Sequence, residues 1–250
     1  GTYGYKCDLH APTMVGTINV SAPARDLVLT AAFDGPLSGG TPKGVEIYAL
    51  TNITDLSSYG IGSANNGGGS DSVEFQFPAV SVTQGDYIYV TTDSTQFHSF
   101  FGFAPDYVSG SMGINGDDAV ELFNNGVVID VFGDINVDGS GEPWEYLDSW
   151  AYRKSGTGPD SSNFVLNNWT FGGINTYDGK LTNASATPAM AIGTYSPVAP
   201  TNPTVSLPSS ALTVNEASGT TTINLVITPA ATTAQTIDLV FALGAGVNIP

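Results

Sequence analysis

Apolar and polar positions alternate with a period of two along most of this 250-residue chain. Residues 26–33 set Leu27, Leu29, Ala31 and Phe33 on one face, and residues 45–50 set Val45, Ile47 and Ala49 against Glu46 and Tyr48. The same alternation places Val73, Phe75 and Phe77 together, and Ile88 and Val90 against Tyr87 and Tyr89. Successive side chains of a strand point to opposite faces, so this period predicts half-buried strands with one face on a core. Breakers separate them, among them Gly67-Gly68-Gly69 and Gln84-Gly85-Asp86. Residues 96–103 depart from the pattern, with Phe97, Phe100, Phe101 and Phe103. They are expected to form one or two helical turns plugging an end of a sandwich, because so many phenylalanines rarely stay in water.

The sharpest local signal is Asn125-Gly126, which suits the two positive φ angles of a type I′ turn and predicts a hairpin over residues 119–132. A two-residue loop sets the register: Leu122 opposite Ile129 and Val120 opposite Val131 on the core side, Phe123 opposite Val128 and Glu121 opposite Asp130 on the other. Like charges facing each other destabilise a sheet. Either both carboxylates are well solvated, or Glu121 and Asp130 flank a cation.

Four segments follow from the pattern. Residues 1–23 are rich in small residues and are expected to form an irregular arm along the first domain. Residues 24–187 make that domain, and residues 188–203, with Pro197, Pro200 and Pro203, read as a semi-extended linker. Residues 204–250 hold four short strand patterns, about half of a second sandwich and too little to bury a core alone. A longer parent protein is therefore expected, and the start at Gly1 without a leader reads as a processed terminus.

Composition narrows the function. Thr, Ser, Asn, Gly, Val, Tyr and Phe dominate, the usage of short strands and tight turns, and 41% hydrophobic residues suffice for a core. All-β architecture is the expectation. Six Lys and Arg against 23 Asp and Glu give a net charge of −17. Such a field repels bare nucleic acid and anionic lipid and attracts divalent cations. Cys7 is the only cysteine, which excludes an intrachain disulfide and a thiolate zinc site, and His10 and His98 are the only histidines. No apolar run is long enough for a spanning helix, so membrane insertion is not expected. Sequons occur at Asn19, Asn52, Asn168 and Asn183.

One motif carries chemistry. Residues 134–145 read D-I-N-V-D-G-S-G-E-P-W-E, with Asp134, Asn136, Asp138, Gly139 and Glu145 at positions 1, 3, 5, 6 and 12 of a calcium-loop pattern. Calcium takes six to eight oxygens, which alternate side chains of a tight loop supply, with Gly at the bend. Ser140 would add a backbone carbonyl, and the last carboxylate would come from Glu145 or Glu142. The motif follows a strand rather than a helix and contains Pro143. A turn whose Asp and Asn side chains cap their own backbone is the competing reading. Six acidic residues between positions 130 and 148, with no Lys or Arg among them, favour a cation. No Gly-x-Ser-x-Gly, His-Glu-x-x-His or Lys-bearing phosphate loop occurs, so no enzyme is expected.

The run Ile114-Asn115-Gly116-Asp117-Asp118-Ala119-Val120-Glu121-Leu122-Phe123 and the run Asn125-Gly126-Val127-Val128-Ile129-Asp130-Val131-Phe132-Gly133 resemble the bacterial branch of the lamin-tail domain. Trp144-Glu145, Ser149-Trp150-Ala151-Tyr152-Arg153-Lys154, Asn168-Trp169 and Tyr177-Asp178-Gly179 fit the same branch, as do Val45-Glu46-Ile47-Tyr48-Ala49-Leu50 and Asp55-Leu56-Ser57-Ser58-Tyr59. The resemblance spans about residues 24–180. The family's Asn-Glu after the first strand is replaced by Leu29-Thr30-Ala31-Ala32-Phe33. Downstream, Val205-Ser206-Leu207, Leu212-Thr213-Val214-Asn215-Glu216 and Gly219-Thr220-Thr221-Thr222-Ile223 resemble the start of a Calx-beta domain. The resemblances imply an immunoglobulin-like β-sandwich followed by a partial second sandwich, on a secreted or bacterial cell-surface protein. They imply no catalytic residues, and they make Glu216 a calcium ligand, a role that turn capping explains equally well.

The expected function is therefore a calcium-stabilised extracellular module for adhesion or surface architecture, binding a cell-surface or matrix polymer or further domains of its own protein. Two alternatives stand beside it. One is the accessory region of a secreted nuclease or phosphoesterase. The other is a carbohydrate-binding module using Tyr3, Tyr5, Trp144 and Trp150.

Overall fold

A computed structural model describes residues 26–197 in full and, outside them, the backbone of strands at 2–7, 14–20, 204–206, 226–228 and 237–243. The chain divides into two units, residues 1–23 with 200–250, and residues 24–199. In the first, β1 (Thr2–Cys7) pairs with β2 (Met14–Val20), and β2 pairs with a late strand, Ile237–Leu243, both antiparallel. The expected N-terminal arm is thus a pair of strands joined to the C-terminal segment. Tyr3 and Tyr5 alternate with small residues in a strand period, and backbone polar groups in such a stretch are met by a ladder.

The second unit is an all-β sandwich. Its strands are β3 (Leu27–Leu37), β4 (Thr41–Ala49), β5 (Tyr59–Ala64), β6 (Phe75–Gln76), β7 (Tyr87–Thr91), β8 (Tyr107–Val108), β9 (Ala119–Asn124), β10 (Val127–Phe132), β11 (Trp150–Arg153) and β12 (Trp169–Phe171). A six-stranded sheet runs β12-β11-β3-β4-β7-β8 and a four-stranded sheet β10-β9-β5-β6. The pairs are antiparallel except β7 with β8. Leu27, Leu29, Val45, Ile47, Val120, Leu122, Phe132 and Tyr146 belong to the core cluster that the two sheets share. Later strands β13 (Thr204–Ser206) and β14 (Val226–Thr228) pair with each other, and β15 is the Ile237–Leu243 strand already paired with β2. Among the described residues no helix is long and apolar enough to cross a membrane.

Two bulges redirect the predicted faces. A register shift between Leu29 and Ala31 leaves Leu27 and Leu29 in the shared core and turns Ala31 and Phe33 to the outer side of the six-stranded sheet. One inserted residue inverts all later alternation on its strand, so the expected single face is split. The Asn125-Gly126 turn forms as expected, with φ of 49° and 75°, and pairs Val128 with Phe123. Beyond it a bulge at Ile129 places Asp130 opposite Leu122 and Val131 opposite Glu121. Glu121 and Asp130 therefore do not face each other.

The outer side of the six-stranded sheet carries a second core. Helix α1 (Ser94–Phe101) starts at Asp93, whose side chain accepts the Gln96 N–H, and ends at Gly102 with φ 88°. Its Phe97 and Phe100 join Phe33, Tyr152 and Tyr177, so the phenylalanines cover a face rather than plug an end. Met190 and Tyr195 complete this cluster. Residues 188–197, expected as the start of a linker, instead form a strap that belongs to the sandwich unit. Two buried apolar anchors outweigh the extended bias of the flanking prolines.

Candidate functional site

At one end of the sandwich the turn that feeds β9 meets the loop that follows β10. The turn is organised by Asp118, a buried carboxylate that accepts the N–H of Asn66 (2.8 Å) and of Asn115 (3.1 Å). Burial raises its carboxyl above the usual range, and the two N–H groups pull it back. Asp117 reaches the other way, accepting the Ser140 hydroxyl (2.9 Å), while its carbonyl accepts the Gly139 N–H (3.0 Å). The Asn115 amide lies against Asp118 Oδ2 and Asp117 Oδ1 (2.9 Å) and donates to both when its nitrogen faces them. Asn115, Asp117 and Asp118 thus meet in this turn, and Asp117 links it to Ser140.

The loop itself is fastened from below by Trp144. This indole is 4% exposed and packs edge-on against Phe132 and Phe164. A Cβ on Gly139 would stand 2.7 Å from the Trp144 ring and 2.7 Å from the Asp117 carbonyl, so glycine is needed for close approach rather than for a positive φ. Asp134 accepts the Asn136 N–H (3.0 Å), Asp138 the Ser140 N–H (2.9 Å) and Glu145 the Gly141 N–H (2.8 Å). Each carboxylate uses one oxygen in this way. Asp134, Asn136, Asp138, Ser140 and Glu142 are exposed, and Glu145 is half-buried. Among the described residues no three acidic, histidine or cysteine side chains close on one point. The donors are all oxygens, which suits a hard cation such as calcium.

Of the second predicted pair, Asp130 turns inward and finds its cation within the chain. The Arg153 guanidinium donates to both of its oxygens (2.9 and 2.8 Å) and to Asp160 (2.7 Å), while Arg153 Nε donates to the Leu29 carbonyl. The N–H groups of Leu29 (2.8 Å) and Asp160 (2.9 Å) complete the shell around Asp130. Arg153 also lies 4.5 Å from the centre of the Trp169 ring. Leu29 stays opposite Ile47 of β4, and its N–H and carbonyl enter this network, which ties β10 of one sheet to β3 and β11 of the other. Burial pushes the Asp130 carboxyl up to about 6, against the pull of Arg153. Glu121 stays on β9 opposite Val131 and Gly62, 3% exposed, with its Oε2 lacking a hydrogen-bond partner among the described residues.

Sequence reasoning gave no role to Arg153 or Glu46, both buried and ionisable. Glu46 accepts the Thr30 hydroxyl (2.7 Å), the Tyr152 hydroxyl (3.0 Å) and the Gly193 N–H (2.6 Å) on the outer side of the six-stranded sheet. Among the described residues no Lys or Arg pairs with it. The expected sugar platform is not supported at Trp144 or Trp150: both are buried, and Trp150 donates its indole N–H to the Pro188 carbonyl. A flat indole face cannot be both core and stacking surface. The side chains of Tyr3, Tyr5 and Glu216 lie outside the described residues. Of the sequons, Asn168 donates to Asp160 and Asn183 to the Met190 carbonyl, whereas Asn52 is exposed.

No family model, curated protein or solved structure matches this chain.

Proposed function

We propose that this chain is a non-catalytic extracellular module for adhesion or surface architecture, lamin-tail-like over the sandwich unit, and stabilised by calcium where the 115–118 turn meets the 134–145 loop. The observation that supports the calcium reading is the link between these two acidic segments through Asp117 and Ser140 (2.9 Å), with Asn115 and Asp118 beside it. Nearby cationic compensation is scarce: Lys43 is drawn to Asp34 (2.6 Å), and Arg153 is spent on Asp130 and Asp160. In the bound state Asp117, Asp138 and Ser140 would supply oxygens from both segments, with Asp134, Asn136 and either Glu145 or Glu142 completing the shell. The role of calcium is to neutralise and lock this end, which would present a fixed surface to a matrix or cell-surface polymer or to a neighbouring domain.

Thermal unfolding with calcium and with EDTA tests the reading. At tenfold saturation, a site present only in the folded state adds about 1.4 kcal/mol, which raises Tm by about 3–6 °C for a domain of this size. Asp138→Ala and Asp117→Ala should each abolish the response, and magnesium should substitute poorly because it holds its waters. A Tm that ignores calcium in the wild-type protein rejects the site.

A further inference from the structure

The strap over the outer core has no strand or helix of its own after Ser185, yet it closes the cluster with Ala186, Met190 and Tyr195. Its last turn is held through Glu46 and Tyr152. The Gly193 N–H donates to Glu46 Oε2 (2.6 Å). The Tyr152 hydroxyl donates to Glu46 Oε1 and accepts the N–H groups of Thr194 and Tyr195 (2.9 Å each). Tyr87 donates to the Tyr195 carbonyl (2.6 Å), and the Tyr195 ring packs edge-on against Tyr48. Trp150 binds the strap at Pro188, and Asn183 holds Met190 through both its amide atoms.

We propose that this strap is a pH-controlled latch: it is closed while Glu46 is protonated and loosens when Glu46 ionises, uncovering the tyrosine-lined outer face of the six-stranded sheet. Every group that faces Glu46 is neutral: Thr30 from β3, Tyr89 from β7, Tyr152 from β11 and Gly193 from the strap, with Tyr48 and Tyr87 alongside. A carboxylate at 0% exposure without a cation is costly. The protonated form fits without loss, since its O–H can donate to Thr30 Oγ1 while the Thr30 hydroxyl turns to the Glu46 carbonyl (3.2 Å).

The strap supplies part of that burial, so lifting it lets water reach the carboxylate. Burial raises the Glu46 carboxyl, and the surrounding donors pull it back only in part. The Gly193 N–H that the strap donates favours the charged form, but loss of water is the larger effect at this carboxyl, so the closed state holds its proton more tightly than the open state. Linkage then fixes the sign: closure is favoured at low pH and weakens as pH rises through the closed-state pKa. The neighbouring phenols stay neutral throughout, because burial pushes Tyr87 and Tyr195 up to about 12 and Tyr89 and Tyr152 higher still.

Hydrogen exchange read by mass spectrometry on the full chain in EDTA, corrected for intrinsic exchange rates, separates the outcomes. As pH rises from the ordinary Glu range towards 8, the protection of residues 186–196 should fall, by about tenfold for each unit by which the closed-state pKa exceeds the open-state value, while β9 keeps its protection. Glu46→Gln should flatten the strap profile. Tyr152→Phe, which removes the hydroxyl that binds Thr194 and Tyr195, should lower strap protection at every pH and leave its pH dependence. Strap protection that does not change with pH in the wild-type protein overturns the latch, whether or not the variants fold. So does a loss shared equally by β9, or a Glu46→Gln profile identical to wild type.

Discussion

Asp130 and Glu46 are both fully buried carboxylates, and the chain treats them in opposite ways. Asp130 has a guanidinium on both oxygens and two backbone N–H groups besides. Glu46 has the Thr30 and Tyr152 hydroxyls and the Gly193 N–H, with Tyr89 alongside, and among the described residues no cation. In both, burial is the larger effect and raises the carboxyl. At Asp130 the pull of Arg153 halts it at about 6, whereas at Glu46 only dipoles oppose it. A buried negative charge has to be neutralised by a partner or by a proton. With six cationic side chains for 23 acidic ones, this protein places an arginine where the two sheets join and, among the described residues, none beside Glu46. The exposed 134–145 loop is a third case, where solvent and its ions are within reach.

The largest break in this comparison is to remove the cation. Arg153→Met leaves Asp130, Asp160 and the Leu29 carbonyl buried without their donor, and should cost about 3–5 kcal/mol, or a fall in Tm of about 10 °C on calorimetry. Arg153→Lys should recover little, since an ammonium cannot fork across both Asp130 oxygens. A loss below about 1 kcal/mol for Arg153→Met would mean the network is dispensable.

Next in size, Asp130→Asn should cost about 1.5–3 kcal/mol, the range of a hydrogen bond to a charged group. The amide keeps one acceptor for Arg153 and turns an N–H toward donors. Urea denaturation at pH 7 measures it, and a variant as stable as wild type would place the value of the network in Asp160 instead.

Glu46→Gln is expected to cost about 1 kcal/mol where the wild-type carboxyl is protonated, and less as pH rises, because burial raises that carboxyl. The sign follows from linkage. A carboxyl raised in the folded state contributes stability that is present below its unfolded value and lost as pH climbs through the folded one. Wild-type Tm in EDTA should therefore decline from pH 5 to 8, in part through Asp130 near 6 and in part through Glu46, and Glu46→Gln should remove the second part. A wild-type Tm that rises over this interval would contradict both shifts.

The smallest effect probes the exposed case. Glu142→Gln removes one charge from the loop rim and should shift the EDTA Tm by under 1 °C, because an isolated surface charge in water contributes little. A shift of several degrees would show that the loop carboxylates repel one another strongly even when hydrated.

Much of the fold could be read from the chain because it rests on local rules. Period-two alternation placed β7 near its observed bounds and the second half of β4, and Asn125-Gly126 placed β9 and β10 and fixed their turn through the positive φ that these residues tolerate. The acidic loop was also legible as a loop, since Asp134 and Asp138 cap the backbone two residues on, as short acidic side chains do in turns. Its charge imbalance follows from counting residues alone.

Tertiary structure decided the rest. The bulges at Thr30 and Ile129 come from no turn signal: they shift the register of β3 and β10, and Leu29 and Asp130, each still paired in its own sheet, meet at Arg153 of β11. A lone Arg at the end of Trp150-Ala151-Tyr152-Arg153 and a lone Glu in Val45-Glu46-Ile47 were the available hints, because a charge in an apolar strand must be either solvated or matched. Which of the two holds depends on what covers the strand, and the coverings come from far along the chain, 124 residues from Leu29 to Arg153 and 147 from Glu46 to Gly193. The strap residues read as a linker for the same reason. Pro188 and Pro197 bias the backbone locally, but only the packed sheet offers the acceptors and apolar surface that make residues 188–197 part of the sandwich.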